Sequence, residues 1–136
     1  MKVSKKPRML IAISAGSLVA LISAFICLGV AATMILNNSL RINHEGVIIV
    51  AIHVLASLLG SIVSGALSDK PLISCASTLG VLLLFEIAAT VFVYSGEFQN
   101  VLACLIGDLS GASAGLFLMV STKNRKGKGI KKYRSR

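Results

Sequence analysis

Three ionisable side chains, His53, Glu86 and Asp108, stand inside stretches otherwise too apolar to hold them. Moving a charged carboxylate into hydrocarbon costs on the order of 2.5–3.5 kcal/mol on insertion scales, so such groups turn toward protein and are functional candidates by default. Two carboxylates near an imidazole suit a proton-linked or ion-linked site, with Glu86 and Asp108 as carriers and His53 as their partner. The competing expectation is that the three only hydrogen-bond across helices and fix register, each bond worth about 0.6 kcal/mol. A sharper version adds Cys27 and makes Cys27, His53, Glu86 and Asp108 metal ligands. The chain has no tight ligand spacing such as paired His at i and i+4, so no metal and no other cofactor is expected. His44-Glu45 does not extend to H-E-x-x-H. Cys27, Cys75 and Cys104 lie in separate apolar stretches without C-x-x-C spacing, which supports neither a disulfide framework nor a zinc knuckle. With no nucleophile–base pair and no phosphate loop either, an enzyme is not expected.

The elements that must position these residues follow from composition. A chain of 136 residues with 55% hydrophobic and only 14% charged content is excluded from the soluble class. Four apolar stretches stand out, at about 9–36, 46–67, 72–95 and 101–121. Each matches or exceeds the roughly 20 residues that cross a bilayer as a helix. The first is too long for a secretory signal, whose apolar region runs to about 7–15 residues, and reads as a retained span. The expected fold is therefore an all-α, four-helix bundle in the membrane, between a basic segment 1–8 and a basic, disordered or surface-lying tail 122–136. Between spans two and three, Asp69 is placed to cap the next helix and Pro71 suits its first turn. Asn37-Asn38-Ser39 fits a glycosylation acceptor, a short and common pattern. Tyr94 sits where an interfacial aromatic belongs. At helical rise, His53 and Asp108 each lie about 10 Å from the start of their spans, and Glu86 about 10–14 Å from the end of its own. Cys27 on the first span falls near the same level.

Small residues run along the faces. Gly107, Gly111 and Gly115 recur every fourth position, and Ala103 extends the groove. On span two, Ala56, Gly60 and Ser64 share a face with His53, and Ser57, Ser61 and Gly65 form the next stripe. Ser17, Ala20, Ala24, Cys27 and Ala31 make a seam on span one. Helices in lipid lack a hydrophobic drive to associate, so close backbone contact through small residues is one of the few drives left. Gly60, Gly65, Gly107, Gly111 and Gly115 are the expected packing positions. Four short helices with so much glycine leave packing surface over, which suggests a homo-oligomer or a subunit of a larger membrane complex.

Charge sets the expected topology. Fourteen Lys and Arg face five acids. Four of those cations precede the first span, Lys70 lies in the middle turn, eight follow the last span, and Arg41 alone falls on the other side. By the positive-inside rule both termini face the cytoplasm. Lys123, Arg125, Lys126, Lys128, Lys131, Lys132, Arg134 and Arg136 are placed to meet anionic lipid head groups, at about 1 kcal/mol each near the surface. Nucleic acid is not the expected partner, because Tyr133 is the tail's one aromatic for base stacking.

From Leu59 to Leu118, the small-residue end of span two (Gly60-Ser61-Ile62-Val63-Ser64-Gly65-Ala66), the short polar turn and the glycine-rich last span resemble the YrzE-like family. These are small four-span membrane proteins of the bacterial plasma membrane. The resemblance implies a four-helix membrane bundle and no particular activity. Small multidrug transporters also have four spans but carry a glutamate in the first, where this chain has none. Three roles follow from the residues: a non-enzymatic structural or accessory membrane component first, a small proton- or ion-coupled transporter using Glu86 and Asp108 second, and a holin-like pore former third.

Overall fold

A computed structural model of the chain describes residues 6–37, 39, 45–93 and 101–133, with side chains over 8–37, 39, 46–92 and 101–122. Arg41, His44, Tyr94, Glu97 and the middle residue of the Asn37-Asn38-Ser39 pattern lie outside the described residues. The described chain is all-helical: α1 (Lys6–Leu36), α2 (Glu45–Leu67), α3 (Pro71–Val93) and α4 (Val101–Tyr133). Each contains a stretch long and apolar enough to cross a membrane, Arg8–Leu36, Gly46–Leu67, Pro71–Phe92 and Val101–Thr122.

Local chemistry sets the ends. Leucine, alanine and isoleucine runs without internal proline sustain each helix, and Pro7 and Pro71 sit where a missing N–H costs nothing. The α1 C-terminus closes with Asn37 N–H donating to the Thr33 carbonyl at 3.0 Å and Ser39 N–H to the Met34 carbonyl at 2.9 Å. The second bond reaches back five residues, as in the Schellman pattern, and uses a carbonyl the helix leaves free. In the α2–α3 turn the Lys70 N–H donates to Ser68 Oγ at 3.1 Å, so Ser68 serves the turn where the sequence points to Asp69.

The packing is inverted relative to a soluble bundle. The buried apolar residues are mostly small, Ala12, Ala20, Ala56, Cys75 and Ala112, joined by Ile52 and Leu82. Beside them lie the hydroxyls of Ser57, Ser61, Ser64, Ser74 and Thr78, while Phe25, Leu84, Phe92 and Phe117 face outward. In lipid the large apolar side chains gain nothing by leaving the surface, and the interior goes to residues that let backbones approach or hydrogen-bond.

The central helix is α2. It packs most extensively on α4 and α1, and α1 and α4 hardly meet. A Cβ added at Gly16 would come within 2.7 Å of both the Gly60 carbonyl oxygen and Ser64 Cβ, and one at Gly60 within 2.8 Å of Ala20 Cβ. The α1 seam therefore runs through Ala12, Gly16, Ser17 and Ala20, so the expected line holds at Ser17 and Ala20 and is not buried on toward Ala31. Ala24, Cys27 and Ala31 are only half-buried.

The second departure is α4. It continues as helix to Tyr133, through the segment expected to be a disordered or surface-lying tail. A span already formed supplies the nucleus, so each further residue adds a hydrogen bond without the initiation cost. Lys and Arg are good helix formers, and Gly127 and Gly129 cost only about 1 kcal/mol apiece.

Candidate functional site

The site is built by the approach of α4 to α2. A Cβ at Gly107 would stand 3.1 Å from His53 Cβ and 3.2 Å from the Val50 carbonyl oxygen. One turn on, a Cβ at Gly111 would overlap Ser57 Oγ and the Val54 carbonyl oxygen. A Cβ at Gly115 would come within 2.8 Å of Ser61 Cβ. The glycine stripe thus lies along α2 itself. Because Gly107 adds no side chain beside the His53 stem, the neighbouring Asp108 can turn its carboxylate to the imidazole. Gly65 stands against Met119 and Cys75, with a built Cβ 3.1 Å from Met119 Cγ and 3.3 Å from Cys75 Sγ.

Glu86 reaches the same point from α3. His53 Nδ1 lies 2.7 Å from Glu86 Oε1 and 3.3 Å from Asp108 Oδ1. Both distances suit hydrogen bonds from a single Nδ1–H shared between two carboxylates, the shorter being the stronger. The Nε2 nitrogen is left outside that pair of bonds. The main chain around the cluster is also engaged: Ser57 Oγ donates to the His53 carbonyl at 2.7 Å, and Thr90 Oγ1 to the Glu86 carbonyl at 2.8 Å.

The three side chains differ in access. Those of His53 and Glu86 are 25% exposed, whereas Asp108 as a residue is only 1% exposed. Its second oxygen, Oδ2, is buried without a hydrogen-bond partner. An ionised carboxylate oxygen shut away from water with nothing to accept from is costly, and such groups are few in native proteins. Two carboxylates and a neutral imidazole carry two negative charges, and a protonated imidazole offsets only one of them.

The sequence grouped His53, Glu86 and Asp108 by depth, and the structure brings their side chains together laterally as well. One ligand-type atom from each lies within 4.8 Å of the others. Cys27, placed at the same level on α1, is not in that group. The reason is lateral: α1 packs on the far side of α2 from α4. Cys104 lies one turn before Asp108 on α4 and is half-buried. The side chains of Lys123, Arg125, Lys126, Lys128, Lys131 and Lys132, and the whole of Arg134 and Arg136, lie outside the described residues.

A second polar cluster lies toward the α2–α3 turn. Thr78 Oγ1 donates to Ser64 Oγ at 2.9 Å, Ser74 Oγ to the Ser64 carbonyl at 3.1 Å, and Cys75 Sγ to the Ser61 carbonyl at 3.2 Å. Sequence reasoning named Ser61 and Ser64 but passed over Ser74 and Thr78. Their i, i+4 spacing on an apolar span was the available signal. Gly16 was likewise missed, and a built Cβ there stands 3.2 Å from Thr78 Oγ1.

Fold and site together define a class: a four-helix, multi-pass membrane protein with an acid–base cluster among three of its helices. Comparison with family models, with curated proteins and with solved structures finds no match.

Proposed function

We propose that the chain is a small cation-linked carrier, or the carrier subunit of a larger membrane complex, with Glu86 and Asp108 holding the cation and His53 as their partner. The observation that carries this reading is the unpartnered Oδ2 of Asp108 inside a cluster whose other close contacts are already made. Register-fixing hydrogen bonds would account for the 2.7 Å and 3.3 Å contacts. They leave the second carboxylate, and its spare oxygen, without a purpose. A packing role alone would be met by the glycine stripe, which needs no charge beside it. The partial exposure of His53 and Glu86 supports the same reading, since a carrier site must be reached as well as held.

The basic segments favour both termini in the cytoplasm of a bacterial cell, with the chain in the plasma membrane. The cluster would then lie about 10 Å below the outer surface at helical rise. The test is flux in proteoliposomes, read with proton-sensitive and divalent-cation-sensitive dyes under an imposed gradient. We expect flux in the native protein and its loss in Glu86→Gln and in Asp108→Asn. No flux of any of these cations, or flux that survives both changes, overturns the proposal.

A further inference from the structure

We infer that His53 Nδ1, a Glu86 carboxylate oxygen and an Asp108 carboxylate oxygen form a binding site for one divalent first-row transition-metal ion of the zinc or manganese type. This deepens the cation-linked reading by naming the cation, and it rests on the same three residues. Charge is the first argument. Two carboxylates and a neutral imidazole sum to two negative charges in a low-dielectric setting, and a single divalent ion cancels them. A monovalent cation, or one proton on the imidazole, leaves one negative charge that only a second proton, on a carboxylate, would cancel.

Geometry is the second. Zinc binds His nitrogen and carboxylate oxygen at about 2.0–2.2 Å, which sets neighbouring ligand atoms of a tetrahedral site about 3.4 Å apart. His53 Nδ1 and Asp108 Oδ1, at 3.3 Å, already have that spacing. The His53–Glu86 pair, at 2.7 Å, must open by somewhat less than an ångström as its hydrogen bond gives way to two metal bonds. Glu86 sits on a separate helix at the end of a flexible side chain. As the metal takes the Nδ1 lone pair, the Nδ1 proton passes to solvent and Nε2 takes one up, so the ring stays a neutral imidazole and the exchange balances.

Third, Asp108 Oδ2 has no partner in its buried position, and a metal bound at Oδ1 gives it one, either as a second ligand or through a metal-bound water. Finally, the donor set selects the class. An imidazole with two carboxylates suits zinc, manganese or ferrous iron, and contains no thiolate to favour copper(I). Three protein ligands leave a coordination position open, as a site that must release its ion requires. His53 and Glu86 each keep a quarter of the side chain exposed, so the cluster is not sealed by the four helices.

The experiment uses the full chain purified in detergent. Zn2+ binding is measured by equilibrium dialysis, Co2+ binding by its visible ligand-field bands, and the first shell of bound zinc by X-ray absorption. We expect one ion per chain, a shell of nitrogen and oxygen with an imidazole signature, and unchanged binding in Cys27→Ser. Glu86→Gln, Asp108→Asn and His53→Gln should each weaken binding on the order of 10–100-fold or more, since changes even to outer-shell partners cost that much. Circular dichroism and size-exclusion chromatography show which variants are folded, and the absorption spectrum of the native protein needs no variant. Absence of Zn2+, Mn2+ and Co2+ binding overturns the assignment. So does sulfur in the shell, or binding that survives Glu86→Gln and Asp108→Asn in folded protein. Carboxylate-dependent proton flux without metal binding would overturn the metal site and leave the carrier standing. Tight metal binding with flux indifferent to both carboxylates would do the reverse.

Discussion

At the scale of single residues, the glycines divide by what surrounds them rather than by their motif. Gly111 has Ser57 Oγ and the Val54 carbonyl where its Cβ would go, and the carbonyl belongs to a helix backbone that cannot swing aside. Gly80, inside α3, has nothing within 4 Å of the same position. Gly111→Ala should therefore force α4 away from α2 and destabilise the bundle by about 1–3 kcal/mol, the usual range for overpacking. Gly80→Ala should be neutral or stabilise by up to about 1 kcal/mol, because alanine is the better helix former. Unfolding titrations in mixed micelles measure both, and equal effects at the two positions would refute this account of α4 packing. Moving α4 also moves Asp108, so Gly111→Ala should weaken the carboxylate-dependent flux while leaving every ionisable group in place. The chemistry of these residues was legible in the sequence, since uncharged surroundings made His53, Glu86 and Asp108 conspicuous. Their lateral meeting was not, because a depth argument gives height along a helix and says nothing of which helix stands beside which. Cys27 shows the limit: it shares the depth and misses the cluster.

At the scale of the elements, each apolar run falls on a helix long and apolar enough to cross a bilayer. Partner choice was harder to read. A stripe of glycines announces that α4 packs closely, yet any helix with small residues could receive it, and α2 does so only because Val50, His53, Val54, Ser57 and Ser61 fall along the facing side. The extension of α4 to Tyr133 was hidden for a different reason. Sequence periodicity marks a helix by an apolar face, and the Lys, Arg and Gly run beyond the span has no apolar period to mark one. Amides from 127 to 133 should accordingly show slowed hydrogen exchange in the native protein. Lys126→Pro removes a hydrogen bond in the helix interior at a cost of about 3 kcal/mol, and should release those amides to fast exchange. The unfolding midpoint of the four spans should not change. Random-coil exchange over 127–133 in the native chain would show that the helix ends with the span.

At the scale of the whole molecule, the proposed orientation of the cluster in the bilayer rests on the distribution of charge. Thirteen of fourteen Lys and Arg belong to the terminal segments and the α2–α3 turn, and only Arg41 to the opposite end. Burying that bias on the outer side would oppose both the translocation preference and the attraction of anionic lipid for the tail. In the proposed orientation the starts of α2 and α4 face outward, and His53 and Asp108, each about 10 Å from those starts at helical rise, would be nearer the outer surface than the inner. Cys104, one turn closer to the start of α4 and half-buried, reports on that placement without touching the cluster's own side chains. In a chain carrying Cys27→Ser and Cys75→Ser, Cys104 should react with a small membrane-impermeant thiol reagent added outside intact cells. Zn2+ added first should slow the reaction, because an ion held one turn deeper closes the same approach. A reporter joined after Arg136 and active only outside the cytosol should stay silent in the same cells. Labelling only after the cells are opened, together with an active reporter, would turn the molecule over and place the cluster on the cytoplasmic half of the membrane.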